Sequence, residues 1–189
     1  NNKYSKGIGF VAGLYEPSYV DGMQCGNATI GKEIKNIDKG YDYKRVQLMA
    51  PMYAGINGID NINKVLQDVF NPTDIGKREL RVGDVTYREN DKVLQLVNDP
   101  DNNVFNGDIG IITAVNKILQ TVTIDFEGRI ATYSFAMLDN LELAYAVTVH
   151  KSQGSEFDAV ILTVFGGYDK LYYRNLLYTA VTRAKRLLI

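Results

Sequence analysis

His150-Lys151-Ser152-Gln153-Gly154-Ser155-Glu156-Phe157 lies between two apolar runs, Leu143–Val149 and Ala159–Phe165, and its reading decides the fold. A second stretch, Leu176-Leu177-Tyr178-Thr179-Ala180-Val181-Thr182-Arg183-Ala184-Lys185-Arg186, has helical spacing and ends in basic residues. Apolar run, polar loop, apolar run and Arg-ended helix is the order in which a parallel sheet presents phosphate-binding groups at its edge. The chain around these stretches should therefore be α/β.

Working outward, Thr29–Lys39 reads as a helix, with Ile30, Ile34 and Ile37 on one face and Gly40 as the stop. Arg45–Ala50 reads as a short buried strand ended by Pro51. Ile59–Phe70 repeats apolar residues at helical spacing and stops before Asn71-Pro72. Residues 1–28 are rich in Gly and Tyr without a sustained period, which fits strands or an ordered loop. From Val82 to Leu138 short alternating runs are separated by turn residues such as Asn98–Asn103, Asn106-Gly107-Asp108 and Glu127-Gly128-Arg129. That pattern describes a small β-barrel of about 55 residues, the size of an SH3 fold. The α/β pattern resumes at Leu141, so the barrel is expected as an insertion. The expected division is 1–80 as the first part of the sheet domain, with 1–41 least defined, 81–140 as the barrel, and 141–189 as the remainder.

The 189 residues carry a net charge of −1, with 46% apolar and 23% charged residues. This argues against a protein that holds nucleic acid by bulk charge, though not against one with a few basic groups in a groove. Cys25 is alone, so there is no disulfide framework and no cysteine metal site; no metal ligands are expected. No apolar run approaches the ~20 residues that span a bilayer, and no membrane partner is expected. A cytoplasmic location is the expectation. The chain begins at Asn1 and stops at Ile189 after an apolar triplet, and we read it as a fragment of a longer protein.

Gly26-Asn27-Ala28-Thr29-Ile30-Gly31-Lys32 matches the spacing of a phosphate loop, but Glu33 follows where a Mg²⁺-binding hydroxyl belongs, and no apolar strand precedes it. Gly7-Ile8-Gly9-Phe10-Val11-Ala12-Gly13 misses the dinucleotide fingerprint by one residue. Both read as coincidences. Without a phosphate loop and an acidic pair for Mg²⁺, half of any such ATPase site is missing.

His150 to Phe157 with Thr148 before it, and Tyr178 to Lys185, resemble motifs V and VI of superfamily 1 DNA helicases, in particular the RecD-like branch of exodeoxyribonuclease V alpha-chain type. Arg45–Tyr53 with Gly55, Gly58 and Asn63 resembles motif IV of that branch, and Asn98–Gly110 resembles the start of its inserted SH3-like barrel. The resemblance implies a RecA-like (P-loop NTPase-type) parallel sheet domain carrying an SH3-like insertion. It implies that Arg183 is an arginine finger, a planar bidentate donor to the γ-phosphate. Gly154 and Glu156 would face the nucleotide, Glu156 through the ribose hydroxyls. Thr148, His150, Lys151 and Ser152 would face single-stranded DNA. Tyr53 stands near the place where many relatives carry a basic residue, and stacking on adenine is one reading of it, packing the other. The bland readings are that Arg183 caps a helix and that Ser152 or Ser155 caps the next one.

The parent of this chain is thus expected to be an ATP-dependent 5′→3′ DNA helicase of recombination and repair. ATP and Mg²⁺ would serve the parent, and the fragment alone would bind neither and be inactive. Its partners would be single-stranded DNA, the missing N-terminal RecA-like domain of the same chain and, in one setting, a nuclease complex. Two other classes stand beside this: a protein- or nucleic-acid-binding module with vestigial motifs, and a different nucleotide enzyme using the near-miss glycine patterns.

Overall fold

Val46–Ala50 is buried at every position, and a strand with no exposed face needs neighbours on both sides. In the computed structural model, which describes residues 9–10, 43–53, 58–163 and 174–188, it has them. Five parallel strands form one sheet in the order β1 (Gly9–Phe10), β12 (Ala184–Leu188), β11 (Phe157–Leu162), β2 (Val46–Ala50) and β10 (Ala146–Thr148). All four pairings are parallel. The expected strand Arg45–Ala50 starts one residue later, because Arg45 closes a 3-10 turn at Tyr43–Arg45 and pairs with Asp158 at 2.7 Å. The expected helix Thr29–Lys39 and both glycine near-misses fall on residues outside those described, apart from Gly9–Phe10.

Helix α1 (Ile59–Phe70) turns Ile59, Ile62 and Leu66 inward together with Asn63 and Gln67. Its first amide groups are satisfied from outside the helix: Ile59 N–H donates to Met52 O at 3.0 Å and Asp60 N–H to Tyr53 O at 3.3 Å. Asn63 reaches across to β10, its Nδ2 donating to Ala146 O at 3.1 Å and its Oδ1 accepting Ala146 N–H at 2.8 Å. Because β10 is an edge strand, the amide takes the place of a neighbouring backbone. Asn63→Ala strands two buried backbone groups and is expected to lower the stability of this unit by about 1–3 kcal/mol. The check is the urea midpoint at unchanged slope; no measurable loss would mean that the amide merely lies against the edge.

The helical reading of the whole stretch Leu176–Arg186 is corrected. Among the described residues helix α2 covers Arg174–Val181, Thr182-Arg183 form a turn, and Ala184 already belongs to β12. On α2, Leu176 and Ala180 are buried while Val181 is exposed. Ala184 is buried as a strand residue paired with Phe157, where it extends the sheet. An apolar residue at the end of a helical pattern fits either period, and pairing with β11 decides it.

Asn71–Tyr145 form a second compact unit, separate from the one made by the residues through Phe70 and from Ala146. It has a hairpin, β3 (Glu79–Val82) with β4 (Val85–Arg88), and an antiparallel sheet ordered β8 (Arg129–Ser134), β7 (Thr121–Phe126), β6 (Ile109–Asn116), β5 (Lys92–Gln95) and β9 (Leu141–Leu143). It exceeds the expected 81–140 at both ends, and one buried carboxylate is the reason. Asp91 accepts from Arg88 N–H at 2.6 Å, from Asn71 Nδ2 at 2.6 Å and from the Tyr145 hydroxyl at 2.8 Å. Its first and last residues are thereby pinned to the start of β5. A buried carboxylate is tolerated only with such donors.

Of the aromatic residues in this unit, Tyr87, Phe126 and Tyr133 are core, while Phe105 and Phe135 are exposed. The Tyr133 hydroxyl donates to Gln95 Oε1 at 2.9 Å, and burial, with Asp99 and Asp108 nearby, pushes its pKa up to about 12. Gly110 in β6 is required by packing: a Cβ there would lie 2.6 Å from Ile124 Cγ2 and 2.8 Å from the Phe126 ring.

Candidate functional site

The loop between β10 and β11 has to travel the length of the sheet. Thr148 pairs with Ala50 and Ala159 with Val46, so four registers separate Thr148 from Ala159, and Phe157 lies two residues further down. At about 3.3 Å per residue the two ends of the loop are roughly 20 Å apart along the strands. The expected site residues therefore fall into two groups, one at the carboxyl ends of β2 and β10, the other at the amino ends of β11 and β12.

At the carboxyl end, Thr148 is 6% exposed and its Oγ1 accepts Lys151 N–H at 3.2 Å, folding the chain back on itself. His150 is on the surface and Lys151 is half-buried. Ser152 is not on that surface: it is 1% exposed, and its hydroxyl donates to Val149 O at 2.7 Å and lies 3.6 Å from Met49 Sδ. Expected to face single-stranded DNA, its side chain here points into the loop and its hydroxyl proton is engaged by the Val149 carbonyl. Tyr53 follows β2 at this same end, with the Lys151 ammonium 5.1 Å from its ring centroid. It stands with the residues expected to face nucleic acid and away from those expected to face a nucleotide.

At the other end, Gly154 has φ +87, and nothing lies within 4 Å of where a Cβ would be. That backbone favours glycine, and the space above it is open to a ligand. Glu156 is exposed and its Oε2 is 3.4 Å from Lys185 Nζ. Arg183 sits in the turn before β12 and is half-buried. Its Nε donates to Thr179 O at 3.2 Å, its Nη1 to Ser155 O at 3.3 Å and its Nη2 to Thr182 Oγ1 at 3.4 Å. The guanidinium thus caps the end of α2, as the bland reading had it, and also grips the loop that carries Gly154 and Glu156. Arg183 O accepts Phe157 N–H at 2.8 Å, which fixes this turn against the start of β11.

Lys185 and Thr179 were not singled out by the sequence. Lys185 becomes legible once Ala184 is paired with Phe157, because Glu156 and Lys185 then flank that pair. Thr179 contributes only a carbonyl, which leaves no signal in a sequence. Among the described residues no group of three or more His, Cys, Asp and Glu could hold a metal ion. No helix of the described residues is long and apolar enough to cross a membrane.

Residues 62–126 match the family model described as the ATP-dependent RecD-like DNA helicase SH3 domain, and residues 143–189 match that of the UvrD-like helicase C-terminal domain. The ATP-dependent RecD2 DNA helicase of Deinococcus radiodurans is 39% identical over 140 residues, which cover 74% of this chain and 19% of that protein. The RecBCD enzyme subunit RecD of Buchnera aphidicola is 28% identical over 156 residues, 82% of this chain and 26% of that one. The chain therefore spans about a fifth to a quarter of these curated relatives. The crystal structure of Pif1 helicase from Bacteroides in complex with ADP-AlF3 and ssDNA matches with a TM-score of 0.54 over 85% of this chain and 44% of that one. At 20% identity this is a likeness of fold.

Proposed function

The chain belongs to the RecD-like helicases of superfamily 1, and from that premise we propose that it is the second motor domain of an ATP-dependent 5′→3′ DNA helicase acting in recombination and repair. The observation that carries the reading is the two-ended loop Val149–Glu156. One end carries the exposed His150 and sets the half-buried Lys151 against Tyr53; the other brings Gly154 and Glu156, through Ser155 between them, to Arg183. A motor needs this economy, because a single rigid element then has one end for the strand and one for the nucleotide.

Each side chain has a chemical part in the proposal. Arg183 offers phosphate a planar fork of donors in place of the two carbonyls it now holds. Glu156 offers an acceptor for ribose hydroxyls, and Gly154 an unobstructed backbone. His150 and Lys151 contact the backbone of a single strand, while Thr148 and Ser152 hold the loop in shape from beneath. Bases need not be read for movement along any sequence. ATP is the substrate whose hydrolysis drives the motor, with Mg²⁺ neutralising its phosphates. Because Glu33 stands where the phosphate-loop spacing Gly26–Lys32 needs a Mg²⁺-binding hydroxyl, the ion's ligands and the phosphate loop are assigned to another domain of the complete protein. We infer from this that the chain alone does not turn over ATP.

The test is ATP hydrolysis by the complete protein with and without single-stranded DNA. Turnover stimulated tenfold or more by the strand is expected. Hydrolysis that ignores DNA in a folded protein would replace the motor by a binding module that keeps only the shape of the motifs.

A further inference from the structure

Tyr53 and Lys151 come from different strand ends, far apart in sequence, yet the fold sets an ammonium over an aromatic ring at 5.1 Å. The ring is 39% exposed. Its backbone is held still, since the Tyr53 carbonyl receives the Asp60 N–H at the start of α1. The loop bearing Lys151 is held too, by the Thr148 hydroxyl on the Lys151 N–H. An exposed aromatic face on a held backbone, beside a cation whose backbone is also held, is complementary to a nucleotide unit: a flat π face joined to an anionic phosphate.

We propose that Tyr53 and Lys151 together form a subsite for one nucleotide of a passing single strand, Tyr53 stacking on the base and Lys151 pairing with the phosphate. The proposal rests on the motor reading above and moves Tyr53 from the ATP side to the DNA side. Position decides between the two. Tyr53 lies past the carboxyl end of β2, whereas Glu156 and Arg183 lie before the amino ends of β11 and β12. With roughly 20 Å between the two ends, a nucleoside triphosphate would have to lie fully extended along the sheet to meet Tyr53 and Arg183 at once. A polymer strand faces no such demand. Stacking also fits a track that must accept every base, since each has a π face.

The experiment measures binding of two fluorescein-labelled 15-mers by the complete protein: oligothymidine, and an abasic strand with the same phosphodiester backbone. A fluorescent ADP analogue is titrated in parallel. Tyr53→Ala is expected to weaken oligothymidine binding roughly tenfold, the loss of one stacked base. Its affinity for the abasic strand and for the ADP analogue stays unchanged, and Tyr53→Phe restores oligothymidine binding. Lys151→Ala weakens both strands and lowers the salt dependence of binding by about one phosphate contact. Tyr53→Ala that weakens the ADP analogue and spares oligothymidine would return Tyr53 to the nucleotide side. Equal loss on both strands would remove stacking from the account, and no loss on either would remove the subsite; each of these overturns the inference and leaves the motor reading intact. Wild-type protein that binds neither strand overturns the motor reading and the inference with it.

Discussion

Arg183→Ala in the complete protein should lower DNA-stimulated ATP turnover by a factor on the order of 10³ or more, as loss of an arginine finger does. Binding of ATP should change far less, because ground-state affinity comes from many contacts and the finger acts where charge develops. The resting geometry makes the prediction sharp. Arg183 now donates to Thr179 O and Ser155 O, so the same substitution also removes a cap from α2 and a tie from the loop. A cap alone accounts for about 0.5–2 kcal/mol of stability and no loss of turnover in protein that remains folded. Measuring kcat, nucleotide affinity and thermal midpoint on the same preparation separates the two roles. A small fall in midpoint with normal kcat would leave Arg183 as a helix cap and sink the finger. Arg183→Lys keeps the charge but not the fork, and should recover little of the rate.

The second large effect concerns Phe126 and Gly110. Phe126 is fully buried in the antiparallel unit, its ring set against the bare Cα of Gly110. Phe126→Ala should cost about 3–5 kcal/mol, the usual range for truncating a buried ring. Gly110→Ala should cost about 1–3 kcal/mol by overpacking, since the new methyl meets both Ile124 and the ring below 3 Å. The two costs should not add. With the ring gone, the methyl partly fills the hole it left, and the double variant should be more stable than the sum by 0.5 kcal/mol or more. Additive losses in denaturant titrations would mean that Ile124 alone excludes the methyl.

Much of this was legible in the chain itself, and where it was not the reasons are physical. Ile59–Phe70 was read to the residue because its apolar period, its Gly58 approach and its Asn71-Pro72 stop agree. The family too was legible in the residues of the last third, where loop and helix carry specific chemistry, and the matches to the RecD-like SH3 and UvrD-like C-terminal families bear it out. The end of α2 was misread because Ala184 satisfies a helix and a strand equally well. The ends of the compact unit Asn71–Tyr145 differ from the bounds read in the sequence, because a buried Asp91 that binds residues on both sides of it in sequence leaves no periodic trace. In the site, residue type points to the loop but does not say which side chains face outward. Ser152 looks like any other polar loop residue until the Val149 carbonyl is seen to claim it. Tyr53 was assigned by its neighbours in sequence, and only the register of β2, β10 and β11 shows which end of the sheet it occupies.

Asp91 has a consequence for how such a chain can fold and how it could have arisen. By holding Asn71 and Tyr145 at one carboxylate, it brings the two ends of a 75-residue segment together. On the other side of the junctions, Asn63 and Ala146 are hydrogen-bonded as well. To the parallel sheet the whole insertion therefore counts as a short hairpin connection. The entropy of closing a long loop, which grows as the logarithm of its length, is met inside the insertion as it folds. The host can complete its sheet without waiting on a floppy excursion, and a lineage can gain, lose or exchange the segment at that junction without redesigning the motor around it.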